Sequence, residues 1–97
     1  MTDSTAPPSS SESGAPELNE QGVAAYRARS YARAAELFRK AADMGYADAQ
    51  YNLGYCYKYG DGVPRNLDKS AEWIRKAQEQ WDAAASDKHE ERRNENG

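Results

Sequence analysis

Small or apolar side chains fall at three- and four-residue intervals at positions 31, 34, 35, 38 and 41, and again at 67, 70, 71, 74 and 77. That spacing lays them along one face of an α-helix and leaves Arg, Lys and Glu on the other. The two stretches are also copies of each other. Tyr31-Ala-Arg-Ala-Ala-Glu-Leu-Phe-Arg-Lys-Ala-Ala aligns without a gap on Leu67-Asp-Lys-Ser-Ala-Glu-Trp-Ile-Arg-Lys-Ala-Gln, 36 positions later. A partner helix precedes each copy: Leu18 to Arg29, with Gly22 and Tyr26, and Ala47 to Tyr59, with Leu53, Gly54 and Tyr57. Small residues in these partners allow a second backbone to approach closely. The pattern predicts helix, turn, helix, twice over, in an all-α repeat fold.

Punctuation along the chain agrees with this division. Ser30 can cap the second helix and Gly45 can end it, while Gly60-Asp-Gly-Val-Pro64 is a strong break before the fourth, which Asn66 or Asp68 would cap. Shifted by the same 36 positions, Gly45, Ala47 and Ala49 fall on Trp81, Ala83 and Ala85, the start of a degraded third copy whose turn glycine has become tryptophan. Loss of that glycine removes the left-handed stop, so the fourth helix is expected to run on through Trp81 toward Ala85. Ile74, Ala77, Trp81 and Ala84 would then share one stripe and cap the open end of the stack.

Composition narrows the reading. The chain of 97 residues holds one domain at most, and a net charge of −3 gives no electrostatic case for nucleic acid or an anionic membrane. Large aliphatics are few, so alanine and tyrosine must supply much of the core. Residues 1–15 are rich in Pro and Ser and read as a disordered tail, 16–86 as the helical domain, and 87–97 as a charged, disordered tail. The only cysteine, Cys56, excludes an intramolecular disulfide framework and fits a reducing, cytoplasmic location. No run approaches the roughly 20 apolar residues that a bilayer crossing needs, so no membrane insertion is expected.

Ala49-Gln-Tyr-Asn-Leu-Gly-Tyr-Cys-Tyr-Lys-Tyr-Gly-Asp-Gly-Val, followed by Asp68-Lys-Ser-Ala-Glu-Trp-Ile-Arg-Lys-Ala, resembles a Sel1-like repeat, with Ser70 where the family has alanine. The preceding unit, with Gly22, Ala34, Phe38 and Ala41 but no GxGV loop, looks more like a tetratricopeptide repeat. The resemblance implies a short α-solenoid of two antiparallel helix pairs, one TPR-like and one Sel1-like, with the extended C-terminal helix as cap. The first helix of each pair would line a concave face. It also implies an adaptor that binds a protein or peptide partner. A cysteine-rich branch of the family is linked to β-lactam binding, and a chain with one cysteine departs from it.

On that resemblance the groove positions are Asp48, Tyr51, Asn52, Tyr55, Lys58 and Tyr59 in the second unit, with Asn19, Val23, Tyr26 and Arg27 in the first. Tyrosine offers a broad apolar body with a hydrogen-bonding tip, and Asn and Lys can engage a peptide backbone or carboxylate. Asn52 can equally bond helix to helix. Tyr57, Trp73 and Cys56 are expected in the core, with no neighbour to activate the thiol. Sole histidine His89 sits in the charged tail, so neither a metal site nor a catalytic residue is expected, and no cofactor. The Gly60-Asp-Gly loop lacks a phosphate-loop lysine and reads as a turn. Two repeats and an extension are fewer than the three that usually close a solenoid core, which leaves capping, self-association into a homo-oligomer or partner binding to make up the difference. Oligomerisation as the chain's role in itself is therefore the competing expectation.

Overall fold

The computed structural model describes the backbone of residues 14–96 and the side chains of residues 14–85. Four helices follow in order: α1 (Ala15–Arg27), α2 (Tyr31–Asp43), α3 (Ala47–Tyr59) and α4 (Leu67–Asn96). Expectations for residues 1–13, and for the His89 side chain, fall outside the described residues.

Each helix packs on the next, and α1 also reaches α3. The two pairs close by the same device. A Cβ on Gly22 would lie 2.6 Å from the Phe38 ring, and one on Gly54 would lie 2.6 Å from Ile74 Cγ1. Phe38 and Ile74 occupy matching places in the two copies, so each glycine admits the bulky side chain of its partner helix. The core between the pairs is built of Ala34, Ala35, Phe38, Ala41, Ala42, Ala49, Leu53, Cys56 and Tyr57. Alanine dominates it as composition requires, but Tyr57 is the only tyrosine buried there.

Helix ends account for three finer expectations. Gly45 turns left-handed after α2, with φ 90°, and Asn66 Oδ1 accepts from the Lys69 N–H at 3.0 Å, capping α4. Ser30 holds the N-cap position of α2, but its side chain makes no capping bond. Between α1 and α2 the left-handed residue is Arg29, with φ 67°. That conformation strains a residue with a Cβ by about 1–2 kcal/mol. Arg29→Gly is expected to add about 0.5–1 kcal/mol of stability, the remainder being offset by glycine's greater freedom when unfolded. The midpoint of urea unfolding, at unchanged slope, measures it; an unchanged midpoint would mean that the arginine side chain contributes as much as the strain removes.

The fourth helix runs on through Trp81, as the lost glycine requires, and continues past residue 86 to Asn96. Residues 87–96, expected as a disordered tail, are helical in backbone: no Gly or Pro interrupts them, and Glu, Lys and Arg are good helix formers. The cap is narrower than expected. Ala77 is buried and Ile74 half-buried against α3, but Trp81 covers only Tyr51 and stays 41% exposed, and Ala84 is exposed.

Candidate functional site: a cleft between the first helices of the two pairs

Where α1 and α3 run side by side they leave an open cleft of about 340 Å³ lined by Val23, Tyr26, Arg27, Phe38, Asn52 and Tyr55. Phe38 forms its floor, because Gly22 lets the ring slide under α1. Five of the ten expected groove residues meet here. Phe38 is the lining residue absent from the expected groove positions; its pairing with Gly22, one helix away, is the signal that would have found it.

Polar contacts set the width of the cleft. Asn52 Nδ2 donates to Asn19 Oδ1 at 2.9 Å, and Asn19 is buried. Asn52 thus makes the helix-to-helix bond expected of it while also standing at the cleft wall. Asn19, by contrast, is a spacer beneath the surface.

Tyr26 donates its hydroxyl to Asp61 Oδ2. That hydrogen bond to a carboxylate, with burial adding to it, pushes the Tyr26 hydroxyl up to about 12, so the phenol stays protonated at neutral pH. Asp61 belongs to the loop 60–66, which the sequence presented only as a turn. It is also a tie between repeats: Val63 packs against the core, and Gly62, at φ 78°, lies directly over the Tyr31 carbonyl. The structure makes a second such tie at the other end of α3. Gln50 Nε2 donates to the Ala42 carbonyl at 3.3 Å, and Gln80 Nε2 donates to the Gly45 carbonyl at 2.9 Å and to Gln50 Oε1 at 3.0 Å. The Ala42 carbonyl, which also accepts the Gly45 N–H, thus takes Gln50 as a second donor, and Gln80 serves the Gly45 carbonyl.

The other expected groove residues stand beside the cleft. Tyr51 packs between Tyr55 and Trp81, with ring centroids at 5.1 and 5.7 Å, and Tyr59 meets Tyr55 edge to face at 5.5 Å. Lys58 Nζ lies 5.6 Å from the Tyr55 centroid and 5.5 Å from that of Tyr59. Asp48 is exposed in the first turn of α3, 3.5 Å from the Tyr46 hydroxyl, and does not line the cleft. Trp73 is half-buried on the opposite face, under Lys76 at 4.7 Å. Cys56 is fully buried, and burial above all, then the nearby Asp61 charge, pushes its thiol up to about 11. Such a thiol is a poor nucleophile. No group of acidic, His and Cys side chains among the described residues is placed to hold a metal ion.

The Sel1 repeat family model matches residues 14–46 and 47–80, which takes in both helix pairs with the loop 60–66. The chain belongs to the Sel1 repeat family. The first pair is therefore matched as a Sel1 repeat like the second, and what sets it apart is a connection shortened to residues 28–30, with Arg29 left-handed in place of a glycine loop. Sel1 repeats are non-catalytic helical repeats that mediate protein–protein interaction. Among curated proteins, the rat (Rattus norvegicus) and mouse (Mus musculus) proteins named DAP3-binding cell death enhancer 1 are each 43% identical over 53 residues. The matched region is 55% of this chain and 10% of each relative, so the chain corresponds to about a tenth of their length. No solved structure matches. Among the described residues, no helix of this Sel1 pair is long and apolar enough to cross a membrane.

Proposed function

We propose that the chain is an adaptor module that receives a segment of a partner protein in the cleft between α1 and α3. The observation that carries this reading is the cleft itself: an apolar floor of Val23 and Phe38, rimmed by Tyr26, Arg27, Asn52 and Tyr55, preformed by the Asn19–Asn52 and Tyr26–Asp61 hydrogen bonds. Apolar depth with a few fixed polar groups around it is what a side-chain pocket needs. The relatives' printed name, which describes them as binding another protein, is in keeping with it. No catalytic role is assigned to any residue.

Tyr55→Ala combined with Arg27→Glu removes the rim without touching the inter-repeat bonds, and both positions are exposed. On affinity capture from cell lysate, the double variant is expected to lose a protein that the wild-type chain retains, at equal helicity by circular dichroism. Retention of the same set by both would refute the cleft as the site.

A second reading has its own observation. Ala35 and Ala42 are 4% and 2% exposed because the second unit covers them, while the equivalent Ala71 and Gln78 on α4 are exposed. That face is where another repeat would stack, which favours self-association. Light scattering across concentration separates this from the adaptor reading: mass that rises with concentration supports it, and a constant monomer mass excludes it.

A further inference from the structure

Beyond the cleft, the exposed rings form one continuous file. Trp81, Tyr51, Tyr55 and Tyr59 succeed one another at centroid separations of 5.7, 5.1 and 5.5 Å. Trp81, Tyr55 and Tyr59 are 41%, 38% and 56% exposed. Scattered exposed aromatics are ordinary on a soluble surface, but a contiguous file is a mark of an interaction surface. The rings brace each other, so the furrows between them exist before any ligand arrives, which lowers the entropy lost on binding.

The shape favours an extended occupant. Trp81, Tyr55 and Tyr59 stand out into solvent, whereas a docking helix needs a groove deep enough for its successive apolar anchors. An extended chain lying on aromatic rings cannot satisfy its own backbone N–H groups there. Proline has no N–H, and its flat ring packs on an aromatic face. Polyproline II advances about 3.1 Å per residue, so about five residues span the file, and the conformation is already populated before binding. Tyrosine hydroxyls along the file can donate to the carbonyls of such a segment.

Charge fixes the rest. Lys58 Nζ lies 5.6 Å from the Tyr55 ring and 5.5 Å from that of Tyr59, and Arg27 lines the cleft beside Tyr55. Asp61, beside the cleft, is engaged by the Tyr26 hydroxyl, and the exposed Asp48 lies at the far end of α3 from Lys58. Two cations thus bracket Tyr55 and suit a carboxylate on the ligand. We propose that the ring file and the adjoining cleft take an extended, proline-rich segment of a partner protein that carries an acidic residue beside its prolines. This rests on the cleft being the binding site.

The test uses the full chain and a fluorescein-labelled synthetic heptapeptide of alternating Pro-Pro and Ala with one terminal Glu, titrated by fluorescence anisotropy. Saturable binding is expected, weakened about tenfold by Tyr59→Ala and lost when the prolines are replaced by alanine. Lys58→Glu is expected to reverse the preference, so that a peptide with Lys in place of Glu binds better than the original. Both substituted side chains are exposed, and circular dichroism checks that the variants fold. Binding no tighter than that of the alanine peptide, or indifferent to Tyr59→Ala and Lys58→Glu, overturns the proposal. A captured partner that depends on Tyr55 and Arg27 but is not displaced by the proline peptide sinks the proline assignment alone. Partners indifferent to Tyr55 and Arg27 remove the cleft reading with it.

Discussion

Gly62→Ala is expected to destabilise the chain by about 3 kcal/mol, the sum of a left-handed backbone imposed on a Cβ and a steric overlap that only a backbone shift can relieve. The added Cβ would overlap the Tyr31 carbonyl oxygen, and that oxygen is main chain at the start of α2. Gly60→Ala separates the two contributions. Gly60 is also left-handed, at φ 73°, but its nearest contact would be Arg65 Cβ at 3.4 Å, so only the conformational share, about 1–2 kcal/mol, applies. Small domains have stabilities of about 5 kcal/mol at the low end, so the Gly62 change is expected to leave a visible unfolded population at 37 °C. Urea unfolding of the two variants measures the difference. Equal losses would mean that the loop 60–66 does not bear on α2 in solution, and the inter-repeat tie through Asp61 would lose its support.

Phe38→Ala is expected to lose about 3–5 kcal/mol, the usual range for deleting a buried phenyl ring, since Phe38 is 3% exposed and sits in the shared core. Its coupling to Gly22 gives a sharper outcome. In the wild-type chain, Gly22→Ala drives a Cβ to 2.6 Å from the Phe38 ring and is expected to destabilise, by about 1–3 kcal/mol. With Phe38→Ala in place the overlap is gone, and alanine's helix preference of about 1 kcal/mol over glycine should show, turning the same substitution stabilising. A change of sign in the double-mutant cycle, read by thermal or urea unfolding, establishes that ring and glycine are in contact. Additive effects would mean that the cleft has a different floor.

The helices were legible because three- and four-residue spacing is a local property, and the 36-position repeat between α2 and α4 showed that both pairs follow one plan. Trp81 at the site of a lost turn glycine correctly extended α4. The site was legible only in part. Periodicity names the residues on the exposed side of α1 and α3, but depth depends on what approaches from the neighbouring helix, which is why Phe38 was absent from the expected groove residues and the buried Asn19 was among them. The ties made by Asp61 and Gln80 join residues 30 or more positions apart, and Gln50 reaches eight positions back across the turn after α2. No spacing along one helix reveals such pairs. Asp61 lay in a segment whose glycines were sufficient to explain it as a turn, and Gln50 was only a letter in a motif until it reached the Ala42 carbonyl. The first repeat was set apart because its loop is short, although its helices pack as those of the second do.

In the proposed function a partner segment sits between α1 and α3. Once a partner segment has been captured, nitrogen-15 and aromatic carbon-13 spectra of the full chain, recorded as that segment is added, test the claim most directly. Shifts concentrated at Val23, Arg27, Asn52 and Tyr55, with Arg39, Glu72 and Lys76 on the opposite face unmoved, are the predicted result. Shifts confined to Arg39, Glu72 and Lys76, or to the exposed Ala71 and Gln78 of α4, would contradict it.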